Sequence, residues 1–86
     1  MLFSSGRKAV HFDIGDKVII IGKSSNASLN LYQKTKQAGL SYVHCLCHSH
    51  PNCAYEVVSS FSSGYLIKAE DRDYIMVAHP NDMRRV

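Results

Sequence analysis

Six side chains able to ligate a soft metal fall within ten residues, His44-Cys45-Leu46-Cys47-His48-Ser49-His50-Pro51-Asn52-Cys53. Zinc takes thiolate and imidazole ligands, four at a time in a tetrahedron. Leu40 to Cys47 alternates as a strand does, and Pro51-Asn52 marks a turn. With Ala54 to Phe61 as the next strand, Cys47 and Cys53 become neighbours across an antiparallel hairpin. Cys45, Cys47, Cys53 and a turn histidine, His50 or His48, then make a candidate zinc site. The spacing Cys-x-Cys-His-x-His-x-x-Cys differs from zinc fingers, whose ligands come as two separated pairs. The competing reading is structural. Cysteine is a small hydrophobe, Cys45 and Cys47 share the core-facing parity of Val43, and the histidines are exposed turn residues. No oriented base or oxyanion hole accompanies the thiols, so a nucleophilic Cys–His pair is not expected.

A second constellation lies in residues 23–39, which carry Lys23, Lys34 and Lys36 and no acid. Tyr32 sits among them. An aromatic ring flanked by lysines can stack on a base while the lysines meet phosphates. The alternative is that Tyr32 packs over the domain and the lysines are solvated. Arg7, Lys8, Arg84 and Arg85 lie in expected tails and can add to a basic surface. Glu70, Asp71 and Asp73 read as a solvated turn rather than an acid/base pair, because no other polar cluster accompanies them.

Charge supports the same division of the chain. Ten basic and seven acidic side chains leave a formal charge of +3. Six of the basic residues lie in residues 1–50, opposed only by Asp13 and Asp16. The remainder carries Glu56, Glu70, Asp71, Asp73 and Asp82 against Lys68, Arg72, Arg84 and Arg85. A mildly basic first part suits an anionic partner.

The elements that must position these groups are short. A chain of 86 residues that is 45% hydrophobic and 20% charged is one small globular domain. Asp13-Ile14-Gly15-Asp16 reads as a tight turn feeding a buried strand, Lys17 to Gly22, rich in β-branched residues. Residues 23–39 connect onward, either as an irregular loop or as a short helix capped by Ser28 and ended by Gly39. Further strands are expected at Leu40–Cys47, Ala54–Phe61, Tyr65–Ala69 and Tyr74–Ala78. Ser62-Ser63-Gly64 is the loop of a hairpin. His79-Pro80 ends the last strand, since proline cannot continue a ladder. Residues 1–11 and 79–86 are expected as weakly ordered tails.

Three cysteines cannot all pair within one chain. The first residues lack the apolar core of a signal peptide, and no apolar run reaches membrane-spanning length. The expectation is a cytoplasmic protein with reduced thiols. The sequon Asn26-Ala27-Ser28 then carries no meaning.

The opening Ile14-Gly15-Asp16-Lys17-Val18, a long connection, three meander strands, and Ala69-Glu70-Asp71-Arg72-Asp73-Tyr74 before a last strand resemble an SH3-like small barrel over residues 12–78. The resemblance implies a mainly β, five-stranded antiparallel barrel. That superfamily holds modules that bind peptides, RNA or DNA, among them many small bacterial and phage proteins. The chain has no tryptophan, which argues against recognition of proline-rich peptides.

The expected function is a non-enzymatic regulatory module that binds nucleic acid through Lys23, Tyr32, Lys34 and Lys36. The alternatives are a protein–protein inhibitor or adaptor using a sheet edge or the same loop, and a small zinc-stabilised domain.

Overall fold

The structure is a computed structural model that describes residues 11–22, 25–50 and 53–86. It is mainly β. The strands are β1 (Lys17–Ile20), β2 (Val43–His44), β3 (Tyr55–Phe61), β4 (Gly64–Ala69), β5 (Ile75–Ala78) and β6 (Met83–Arg85), with one helix, α1 (Asn26–Gln37), between β1 and β2. They form one sheet in the order β2-β5-β4-β3-β1-β6. β2 runs parallel to β5, and the other neighbours are antiparallel.

This corrects the expected five-stranded antiparallel barrel. Among the described residues the sheet has two ends, β2 and β6, and does not close on itself. The parallel pair is possible because β3 and β4 lie between β2 and β5 in the chain, a connection long enough to bring β5 back in the direction of β2. The expected strand Leu40–Cys47 shrinks to two residues because the chain winds into a 3₁₀ turn at Leu46–His48. β2 and β3 are therefore not a hairpin, and Cys47 and Cys53 do not face each other across one. Pro51 and Asn52 lie outside the described residues. Residues 83–85, expected as tail, are instead β6, paired through Ile19↔Arg84 and Ile20↔Met83. The expected leading tail, His11 apart, also lies outside the described residues.

The meander β3-β4-β5 follows expectation. Its first hairpin closes at Phe61↔Gly64, with Ser62 at φ 54 taking the left-handed turn position. Alternating residues of these strands serve two cores. On one face Val57, Ile67 and Met76 join Phe12, Val18, Leu46, Tyr55, Ala69, Ala78 and Met83. On the other, Leu66 and Val77 join Val43 and Leu31 of α1, with Tyr32, Leu40, Val58, Phe61 and Ile75 around them.

α1 settles the choice between loop and helix. Ser25 caps it, its hydroxyl accepting from the Ser28 amide at 3.1 Å. Ser28, the expected cap, lies one turn inside and is buried. Lys34 and Lys36 occupy the last turn, where cations suit the helix dipole. Gly39, at φ 83, ends the helix as expected. The amides of Gly39 and Leu40 reach back to Lys36 and Thr35, a Schellman closure that drops Leu40 onto the second core.

The opening turn is locked to the two strands that flank β1, β3 and β6. The Asp13 amide donates to Asp16 Oδ2 at 2.9 Å, and Gly15 and Asp16 exchange backbone bonds with Val57 of β3. Arg85 of β6 donates to Asp16 Oδ2 through Nε (3.1 Å) and Nη2 (3.0 Å). The Asp13 amide, and after it the Arg85 guanidinium, hold the Asp16 carboxyl below its ordinary value. A carboxyl lowered by folding adds stability above its unfolded pKa, about 4, and that contribution is lost as pH falls through the lowered folded value. Urea unfolding measured between pH 7 and pH 2 should therefore lose stability below about pH 4. Asp16→Asn should flatten that part of the curve; a variant curve parallel to the wild type would disprove the assignment.

Candidate functional site

The Cys/His segment is fixed by Leu46, which is 1% exposed in the first core. Around it the 3₁₀ turn is closed by His48 N to Cys45 O (3.0 Å) and Ser49 N to Leu46 O (2.9 Å). The turn breaks the expected parity: Leu46 goes inward, Cys45 is half-buried and Cys47 is exposed. The two thiols nonetheless meet, with the Cys47 thiol donating to Cys45 Sγ at 3.1 Å.

The other two members of the sequence-predicted zinc set have different neighbours. The His50 amide donates to the Tyr55 hydroxyl at 3.0 Å. His50 Nε2 lies 2.9 Å from Arg72 Nη1. Arginine can only donate, so it occupies the ring lone pair a metal would need. The Cys53 thiol donates to Ala54 O at 3.4 Å and, more weakly, to Asp71 at 3.7 Å. Among the described residues no three His, Cys, Asp or Glu side chains converge as a metal ion would require.

Tyr74 organises the surrounding surface. His44 stacks on its ring, centroids 4.3 Å apart, and His50 tilts against it at 5.8 Å. Burial first, then the neighbouring Cys47 and Cys45, push the Tyr74 hydroxyl up. Burial likewise raises Tyr55. The acidic turn behaves as the solvated turn expected. Arg72 grips Asp71 through two bonds of 3.0 and 2.8 Å and lowers its carboxyl. Glu70 pairs with Lys17 at 2.7 Å, which raises the lysine.

The basic constellation is carried by α1, not by a loop. Lys23 lies outside the described residues. Tyr32 is half-buried against the second core, and Lys36 Nζ sits 5.0 Å above its ring. The ring is thus a packing surface one helical turn before a lysine. Lys34 Nζ reaches Ser62 at the β3–β4 hairpin tip, 3.4 Å away. Asn30, Gln33, Lys34, Lys36 and Gln37 are all exposed.

One cluster was not anticipated from sequence. Asp82, 5% exposed, accepts from the hydroxyls of Ser25 and Ser28, each at 2.5 Å. The His79 amide donates to Ser28 Oγ at 2.9 Å. Serine, histidine and aspartate are together, yet the arrangement is no catalytic triad. The carboxylate itself accepts the hydrogen bonds of both hydroxyls, and His79 Nδ1 accepts from the Asn81 amide. Ser28 is also 2% exposed, out of reach of a substrate. Its chemistry is helix capping: a carboxylate set at the positive end of α1. A side chain 54 residues away from Ser28 leaves no local signature by which to find it.

An open groove of about 680 Å³ lies between the hairpin tip and the segment after β5, bordered by His11, Asp13, Tyr65, His79 and Asn81.

Comparison with known proteins adds no kinship: no family model, no curated protein and no solved structure matches this chain. Among the described residues no helix is long and apolar enough to cross a membrane.

Proposed function

We propose that this protein is a non-enzymatic binding module that engages nucleic acid through the outward face of α1. One observation carries the reading. Lys17, Arg72 and Arg85 are paired with Glu70, Asp71 and Asp16, whereas Lys34 and Lys36 have no carboxylate partner among the described residues. Both project from a helix without a single acid, beside exposed amides that can hydrogen-bond sugar and phosphate. Unneutralised lysines meet phosphates and release counterions.

Fluorescence anisotropy with labelled single-stranded and duplex oligonucleotides tests this. Affinity should fall linearly with salt on logarithmic axes. Lys34→Ala and Lys36→Ala should each weaken binding to all sequences and lower the salt slope by about one. Tyr32→Ala should lower stability along with affinity, since the ring packs on the core. No affinity at low salt, with the circular dichroism spectrum intact, would refute the proposal.

A second reading, a protein partner, is favoured by the far edge of the sheet. Among the described residues β6 pairs only with β1, and Ile21 (57% exposed) stands beside a groove of about 460 Å³ bordered by Phe12, Pro80 and Met83. An extended segment can add to such an edge as another strand. Binding of that kind would survive nuclease and respond weakly to salt.

A further inference from the structure

We propose that Cys45 and Cys47 form a redox-active dithiol, which a low-molecular-weight disulfide oxidises to an intrachain disulfide. This is independent of the nucleic-acid reading. All three cysteines carry thiols in the structure. Two of them are held together: the sulfurs are 3.1 Å apart, against about 2.05 Å in a disulfide. The two sulfurs thus have about an ångström left to close.

The bracket that holds them is built into the fold. Leu46, between them, is anchored in the first core, and the two backbone bonds of the 3₁₀ turn fix the chain on either side. The thiols thus flank Leu46, the first residue of the turn, which the first core holds in place. Cys47 is exposed, so an oxidant can reach it, and Cys45 is half-buried behind it. This order suits an attacking thiol and a resolving one. Cys53, the third thiol, contacts Ala54 and Asp71 instead.

The chemistry proceeds in two exchanges. The Cys47 thiolate attacks one sulfur of the small disulfide, whose S–S bond breaks. One small thiolate leaves, and a mixed disulfide remains on Cys47. The Cys45 thiolate then attacks Cys47 Sγ and expels the second small thiolate. The two protons of the protein thiols end on the two released thiols. The protein loses two electrons, and the small disulfide gains them.

The test uses the full chain, reduced and then treated with glutathione disulfide, with intact mass and peptide mapping as readouts and metal content measured beforehand. The expected product has lost two hydrogens, joins Cys45 to Cys47, and leaves Cys53 open to alkylation. In Cys45→Ser the glutathione adduct should persist on Cys47. Wild type should clear that adduct about tenfold faster or more, because its second exchange is intramolecular. Circular dichroism confirms that each variant is folded. If folded Cys45→Ser cleared the adduct as fast as wild type, the idea would be lost. A disulfide mapped to Cys53 would also overturn it, as would an equivalent of zinc found on both thiols and protecting them.

Discussion

Asp82→Ala is expected to lower the unfolding free energy by about 3 kcal/mol or more, a large part of the roughly 5–15 kcal/mol available to a domain. The carboxylate is buried and receives two hydroxyl bonds, those of Ser25 and Ser28. A bond to a charged group contributes about 1.5–3 kcal/mol. Its loss leaves two hydroxyls at the start of α1 short of an acceptor and removes the negative charge from the helix's positive end. The backbone of Asp82 also accepts from the Ile21 amide at 2.8 Å, so the same residue ties β1 to the segment before β6. Urea titration should show a lower midpoint with little change in slope. Asp82→Asn, which keeps the size and one acceptor, should lose less than the alanine variant. Equal stability of wild type and the alanine variant would show that the network contributes nothing.

Gly64→Ala should be nearly as damaging, at about 2–3 kcal/mol or more. A Cβ built there would stand 2.3 Å from Leu31 Cδ1 and 2.6 Å from the carbonyl oxygen of Ala78. Leucine can turn aside, but the Ala78 carbonyl belongs to β5, which is laddered to β4 through Tyr65↔Ala78. The helix must rise off the sheet or the two strands must part. The double variant Leu31→Ala, Gly64→Ala separates these causes. Shortening the leucine relieves only the first clash, so the cycle should return part of the loss and not all of it. Complete recovery would mean that the carbonyl contact is harmless. Gly15, at φ 97, makes a useful contrast: nothing lies within 4 Å of a Cβ there, and only backbone conformation opposes substitution.

The parts of this fold that were legible are those whose signals are local. The β-branched run after Gly15 became β1, the serine pair before Gly64 became a hairpin, and His79-Pro80 ended β5. Gly64 itself was read as a loop glycine, yet it opens β4, and its reason for being glycine is a leucine on α1. The Cys/His segment misled because Val43 to Cys47 alternates as well as any strand. Burial of Leu46 and the 3₁₀ turn reversed that pattern, and with it the predicted hairpin and the facing of Cys47 and Cys53. β6 was missed because Met83-Arg84-Arg85 offers one apolar residue; pairing with β1 makes it a strand. The lysines of α1 are exposed, as the binding reading requires. Tyr32, chosen as a stacking ring, is half-buried under Lys36, because it packs with Leu31 against the second core while Leu29 is left exposed.

The Asp82 network and β6 also set an order of events during synthesis. Arg85 reaches Asp16 across 69 residues, and Asp82 reaches Ser25 across 57. The first strand and the helix are therefore translated long before the residues that complete them. A nascent chain halted short of Asp82 would present α1 without its carboxylate and β1 with one bare edge, a template for pairing with other chains. Such long-range closure also makes folding slow for the protein's size. Ribosomal stalling is thus a stress to which this architecture is exposed.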